Sequence, residues 1–113
     1  MPYFCIMLDK SNILIRIKSL IKEIEPDARI ILYGSAAMGN STEDSDIDLL
    51  ILVNKNHISR QEEKKIKYPL YDLEFDTGQI ISPFIISAFE WENKHRFTPL
   101  YKNIKEEGIE LWF

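Results

Sequence analysis

The sequence is short of cysteine and histidine, and it has no long hydrophobic run. Cys5 is the single cysteine, so no intramolecular disulfide can form and a reducing, cytoplasmic setting is expected. His57 and His95 are the only histidines, too few for the usual cysteine and histidine zinc sites. No apolar run approaches the roughly 20 residues that cross a bilayer. The opening MPYFCIML lacks the basic start and cleavage site of a signal peptide, so we expect neither a secretory signal nor a membrane span.

The chain also lacks an excess of basic residues. Its 18 acidic and 14 basic residues give a net charge of −4. Direct binding along DNA or an anionic membrane normally needs a basic surface, so we expect neither. A phosphate-bearing ligand held through a metal ion stays compatible with this charge. The 113 residues, 45% hydrophobic and 28% charged, predict one globular domain over residues 1–113.

Hydrophobic periodicity and turn residues predict eight elements in the order helix, strand, strand, helix, strand, helix, helix, strand. The expected ranges are a helix at 11–25, strands at 28–33 and 46–53, a helix from about 60 to 76, a strand at 79–87, helices from 87 and over 98–108, and a last strand at 109–113. This order predicts a mixed α/β or α+β fold, in which a small mixed sheet of three to four strands packs against helices.

Several local signals mark the ends of these elements. Ser59 and Glu62 form a capping-box pattern, and Gly78 is placed to end the helix that follows. Pro69 lies inside that helix and should kink or divide it, because proline cannot donate to the carbonyl four residues back. Pro83 predicts that the third strand lies at an edge of the sheet or beside a bulge.

The stretch YGSAAMGNSTEDSDIDLLIL, residues 33–52, contains the candidate site. Asp46 and Asp48 stand two residues apart at the head of an apolar strand, so their side chains share one face. Two neighbouring carboxylates repel unless a cation lies between them, and Mg²⁺ is often held by one or two carboxylates with phosphates and water. Gly34 permits close backbone approach to a ligand, and Ser35 offers a hydroxyl and an N–H group. The stretch therefore predicts a site for a metal-bound nucleoside triphosphate.

The Gly-Ser pair, ten intervening residues and Asp-Ile-Asp at the head of an apolar strand resemble the signature of the DNA polymerase β-type nucleotidyltransferase superfamily. The length resembles its minimal nucleotidyltransferase members. The resemblance implies a nucleotidyltransferase-like fold and transfer of a nucleoside monophosphate, AMP from ATP in the leading version, to a hydroxyl of a protein or small-molecule acceptor. It assigns the triphosphate to Gly34 and Ser35, and two Mg²⁺ ions with the nucleotide to Asp46 and Asp48.

The sequence departs from this pattern at two positions. Met38 stands where many minimal members carry a basic residue that can face the phosphates. The family's third carboxylate usually lies on the strand after the central helix, where this chain offers Ile80 or Ser82. The acids just upstream could complete the site only if that strand began near residue 72, and otherwise they form a solvated helix face. They are Asp72, Glu74 and Asp76.

Three hypotheses about function follow. The first is an active nucleotidyltransferase that works with a partner, such as the HEPN-domain toxin that minimal members neutralise in toxin–antitoxin pairs. The second is a weakly active or inactive module that binds nucleotide or a partner, and the third is a structural dimerisation unit. A homo-oligomer is left open. The histidines and Lys64, Lys65 and Lys67 are expected at the surface, and Trp91, Phe97, Tyr101 and Trp112 in a core or an interface.

Overall fold

The computed structural model describes residues 2–34 and 46–111, with the side chains of the first helix described from Asn12 onward. Its elements are α1 (Pro2–Ile24), β1 (Arg29–Tyr33), β2 (Ile47–Val53), α2 (Arg60–Thr77), β3 (Ile81–Ser87), α3 (Ala88–Lys94), α4 (Pro99–Glu107) and β4 (Ile109–Glu110). The order is the predicted one, and the prediction of a mixed α/β fold is confirmed. None of the helices within the described ranges is long and apolar enough to cross a membrane.

The four strands form one mixed sheet in the order β3-β2-β1-β4. The β1–β2 and β1–β4 pairs are antiparallel, whereas β2 and β3 run parallel. The Ile47 amide donates a 2.9 Å hydrogen bond to the Ile80 carbonyl. The even-numbered residues of β3 therefore direct their N–H and C=O groups toward β2. Pro83, on the odd-numbered side, therefore faces outward. As predicted, the proline lies in an edge strand, where its missing N–H breaks no ladder bond.

One face of the sheet packs against α1 and α2. The sheet contributes alternate residues of β2, such as Ile47, Leu49 and Ile51, which are almost completely buried. The two helices contribute one apolar stripe each: Ile17 and Ile21 from α1, and Ile66, Leu70 and Leu73 from α2. This main cluster follows the period of two in the strand and of 3.6 in the helices, as the amphipathic patterns predict.

The opposite face of the sheet packs against α3 and α4. Leu50 and Leu52 of β2 lie here with Trp91 of α3 and with Tyr101 and Ile104 of α4. The Trp91 and Tyr101 rings pack with their centroids 5.2 Å apart. Because both helices are short, they cover only part of this face. The consequence for the site is that the head of β2 is left partly accessible.

Side chains cap three helices, and the capping signals predicted for α2 are confirmed among them. The Ser59 side chain accepts from the Glu62 amide at 3.2 Å and completes a capping box, and Gly78 ends α2 in the left-handed conformation. Ser87 and Thr98 cap α3 and α4 in the same manner through their side-chain oxygens. These caps satisfy amide groups that the first helical turn leaves without partners.

Several boundaries differ from the sequence-based expectation. Helix α1 begins at Pro2 rather than near residue 11, because proline fits the first helical turn and the apolar pattern alone did not reveal that turn. Strand β2 begins at Ile47 and β3 at Ile81, each later than predicted, and the final strand spans only two residues. Pro69 does not divide α2, since the carbonyl it leaves without a helical partner belongs to the exposed Lys65 and can reach water.

Candidate functional site

The two aspartates lie at the head of β2. Asp46 immediately precedes the strand and is exposed, and Asp48 is its second residue and is half-buried. Asp48 shares the parity of Leu50 and Leu52, so it lies on the sheet face that α3 and α4 cover in part. Burial raises the pKa of the Asp48 carboxyl above its ordinary value of 3.8, and the negative charge of Asp46 raises this pKa further. The pair is thus a locally repulsive one that a cation would relieve.

Gly34 directly follows β1 and touches the Asp48 carboxylate. Its φ is +74°, in the left-handed region that side chains rarely adopt. A Cβ built on this residue would lie 2.6 Å from Asp48 Oδ2, well inside van der Waals contact. Only glycine therefore lets the β1 end and the Asp48 side chain come this close. The structure brings together Gly34 and Asp48, which the sequence separates by thirteen residues.

Tyr33 and Ser82 flank Asp48 on the neighbouring strands. The register pairs Asp48 with Tyr33 on β1 and with Ser82 on β3, so the three side chains form one row across the same face. Burial raises the pKa of the Tyr33 phenol above 10.0, and the nearby charge of Asp48 adds to the rise. Sequence reasoning missed Tyr33 because its role depends on strand register. The only available signal was its position next to Gly34.

The acids upstream of β3 do not complete the site. Asp72, Glu74 and Asp76 all lie on α2, which continues to Thr77, so the alternative of a strand starting near residue 72 is wrong. Glu74 Oε1 instead accepts a 2.8 Å hydrogen bond from the amide of Ile81, the first residue of β3. The β3 residue beside Asp48 is Ser82 rather than an acid. Across residues 2–34 and 46–111, no cluster of three or more acid, histidine or cysteine side chains is arranged to hold a metal.

Two predicted features lie outside the described residues. Ser35 and Met38 belong to the segment 35–45, so their positions relative to the carboxylates are not described. In the parts of the chain that are described, no lysine or arginine acts on the pKa of Asp48 or of Tyr33. A divalent cation is the kind of positive charge that this donor set fits, because two carboxylate groups supply hard oxygen ligands.

The remaining candidate residues lie elsewhere in the fold. His57 is largely exposed and contacts Glu90 through Nδ1 at 2.8 Å, whereas the half-buried His95 ring stacks on Trp91. Trp91 and Tyr101 are buried as predicted. Phe97 is 91% exposed, so it does not lie in the core, and the alternative of an interface position stays a prediction. Trp112 lies outside the described residues.

Comparison with known proteins identifies the family of the chain. The model of the nucleotidyltransferase domain family matches residues 14–111. A relative in Methanocaldococcus jannaschii, named "Putative protein adenylyltransferase", is 37% identical over 102 residues, covering 81% of this chain and 95% of the relative. No solved structure matches the chain with significant similarity. From the family match across nearly the whole chain and from this relative, the protein belongs to the nucleotidyltransferase domain family, whose chemistry is nucleotidyl transfer.

Proposed function

We propose that the protein transfers AMP from ATP to a hydroxyl group of a protein acceptor. The observation that carries the proposal is the closeness of Gly34 to the Asp48 carboxylate, at the head of β2 where the negative charge of the exposed Asp46 also acts on Asp48. A repulsive carboxylate pair beside a glycine that allows close approach suits a metal-bound triphosphate. The name of the M. jannaschii relative supports adenylyl transfer and a protein acceptor over a small molecule.

In this proposal each site residue has a separate task. Asp46 and Asp48 hold Mg²⁺, and Gly34 with Ser35 binds the triphosphate. The ion supplies charge neutralisation at the phosphates and lowers the pKa of the attacking hydroxyl. The acceptor oxygen forms a bond to the α-phosphorus, the bond from that phosphorus to the bridging oxygen breaks, and pyrophosphate leaves while the hydroxyl proton passes to solvent or a nearby base. The half-buried Tyr33 lies beside Asp48 on the neighbouring strand and forms one side of the site.

The number of ions that the protein itself holds depends on Ser82. Two carboxylates and the Ser82 hydroxyl suit one firmly held ion, because the β3 residue beside Asp48 is a serine and Glu74 is bonded to the Ile81 amide instead. A second ion then depends on the phosphates of the bound nucleotide. Ser82→Asp should add a protein ligand and raise the number of Mn²⁺ ions bound per chain, counted by electron paramagnetic resonance with a non-hydrolysable ATP analogue. Asn54→Asp, an exposed position after β2, is the control for added charge.

The same observation supports a second candidate function. A site with two carboxylates and Ser82 also fits a module that binds nucleotide with little or no turnover. Both candidate functions are compatible with a partner protein, such as the HEPN toxin of a toxin–antitoxin pair, and with a homo-oligomer. The single cysteine supports a cytoplasmic location.

Labelled ATP separates these candidates. The protein is incubated with Mg²⁺, ATP labelled at the α-phosphate and candidate acceptors, including a HEPN-domain protein and a hydroxyl-bearing small molecule. The proposal expects label on the protein acceptor with release of pyrophosphate, and loss of both in Asp48→Asn. Asp27→Asn, an exposed carboxylate in the turn before β1, should behave like the wild type. Nucleotide binding without transfer would support the binding module, and no Mg²⁺-dependent nucleotide binding would contradict both.

A further inference from the structure

The outer side of α2 exposes three aromatic side chains. Tyr68, Tyr71 and Phe75 are 55%, 42% and 89% exposed. Their spacing of three and four residues places them in one row along the helix, which we call the aromatic stripe. The buried residues of α2 occupy the opposite side of the helix. A continuous apolar row of this kind on a surface helix is unusual for a chain that works alone, and it indicates a contact with another protein.

Charged residues beside the aromatic stripe are sorted by sign along the helix. Lys64 and Lys65 lie at its N-terminal end, and Asp72 and Asp76 lie toward its C-terminal end; all four are exposed. None of them forms an ion pair with a residue in the described parts of the chain. This arrangement is unfavourable in a lone helix. Acids near the C-terminus interact unfavourably with the helix dipole, and Asp72 and Asp76, four residues apart, repel each other.

We propose that this face of α2 binds the same face of a second copy of the chain, with the two helices antiparallel. A two-fold axis near Leu70 brings Lys64 of each copy opposite Asp76 of the other. The same operation places the second copy's Asp72 beside Tyr68, within reach of Lys65. Tyr68 and Tyr71 of the two copies then meet at the centre, and Phe75 of each copy lies beside Lys65 of the other. The charges that repel within one helix find opposite charges on the other. A parallel alignment would place like charges together, so the charge order selects the antiparallel one.

The size of the contact predicts a weak, reversible dimer. The three aromatic side chains expose on the order of 400 Å² per copy. With the flanking lysine and aspartate stems, the dimer would bury about the smallest total area found in specific interfaces, roughly 1,200 Å². We therefore expect a dissociation constant on the order of 10 μM or higher. Because α2 packs on the sheet face opposite Asp48, the dimer leaves both nucleotide sites accessible.

Sedimentation velocity over a concentration series tests the apolar part of the contact. The wild-type chain should pass from monomer to dimer, and Phe75→Ser should weaken the dimer by about tenfold or more. Phe97→Ser is the matched control, because Phe97 is equally exposed but lies between α3 and α4. A wild-type chain that stays monomeric, a larger oligomer, or an equal loss with Phe97→Ser would overturn the proposal.

Charge reversal tests the antiparallel alignment. A variant with Lys64→Glu and Lys65→Glu has acids at all four of these positions, and one with Asp72→Lys and Asp76→Lys has bases at all four. Each variant alone should be monomeric, whereas an equal mixture should form a heterodimer that high salt dissociates. Two variants that dimerise separately, or a mixture that stays monomeric, would contradict the arrangement.

The dimer and the nucleotide site can fail separately. Mn²⁺-dependent binding of an ATP analogue should be the same in the monomeric charge variants and in the wild type. Loss of nucleotide binding in Asp48→Asn should leave the sedimentation profile unchanged. A change of dimerisation in Asp48→Asn would show that the contact lies elsewhere and would overturn the proposed surface.

Discussion

Replacing Gly34 with alanine should damage the nucleotide site far more than it damages the fold. The added Cβ meets two obstacles: the left-handed φ of +74° and the Asp48 Oδ2 oxygen at 2.6 Å. The backbone strain costs about 1–2 kcal/mol in a residue with a side chain. The oxygen belongs to the far end of a side chain and can retreat, but it must move by roughly 1 Å to reach normal contact distance. That movement takes the carboxylate away from its position beside Asp46.

Gly78→Ala is the matched control. Gly78 has the same φ of +74°, yet a Cβ built there meets nothing within 4 Å. The two variants therefore share the backbone strain and differ in the displacement of Asp48. We expect urea denaturation to show a similar loss of stability in both, about 1–2 kcal/mol. Any additional loss in Gly34→Ala should be small, because the displaced carboxylate points into an accessible site.

The binding measurements should separate the two variants. Titration with Mn²⁺ and a non-hydrolysable ATP analogue should give about tenfold weaker binding for Gly34→Ala, and transfer from ATP should fall by about 100-fold, the scale of a 1 Å misplacement at a reacting centre. Gly78→Ala should match the wild type in both assays. If Gly34→Ala binds the ion and nucleotide as the wild type does, the close approach of β1 to Asp48 has no part in the site.

Three further predictions concern charge and packing. Asp48→Asn should raise the melting temperature measured without divalent cations, because it removes a carboxylate whose raised pKa makes its ionisation unfavourable in the fold. The same variant should lose the stabilisation that Mg²⁺ with ATP gives the wild type. A variant less stable than the wild type without cations would contradict this. Hydrogen bonds from Lys55, and next those of the capping box, hold the pKa of Glu62 below 4.5. The contribution of Glu62 to folding stability is therefore present above that pH and is lost as the pH falls through the lowered pKa. Acid titrations followed by circular dichroism should show a weaker dependence of stability on acid for Glu62→Gln. Gly108→Ala should destabilise the fold by about 1–3 kcal/mol in urea denaturation, because the new Cβ would lie 2.5 Å from the Ile104 carbonyl oxygen and 2.7 Å from Ile31 Cγ2. Unchanged stability would mean that the α4–β4 junction yields easily.

The sequence was most informative where one local cause decides the structure. Ser59 and Gly78 mark the ends of α2 through hydrogen bonds or backbone conformations that depend on a few neighbours. The apolar run of β2 also predicted a central strand, because burial on both faces requires an uninterrupted hydrophobic sequence. The start of α1 was missed, since its first turns lack the periodic stripe of the later ones.

The site could be predicted only in part, because part of it depends on register. Asp46 and Asp48 were recognised from their spacing, but the row of Tyr33, Asp48 and Ser82 arises from pairing among three strands. Whether Asp72, Glu74 or Asp76 could supply a third carboxylate to the site depended on where β3 begins. A shift of one residue in a strand changes the face of every side chain, so a boundary that is uncertain by a few residues could not decide that point.

The hydrogen bond between Glu74 and the Ile81 amide has a consequence for assembly. An exposed strand edge is a template on which further strands can add, and β3 is such an edge. Glu74 occupies the first outward amide of β3, and Pro83 removes the next. The opposite edge, β4, is only two residues long. Within the described residues, the first part of the β3 edge is thus blocked and the β4 edge is short, which disfavours the addition of further strands at either edge.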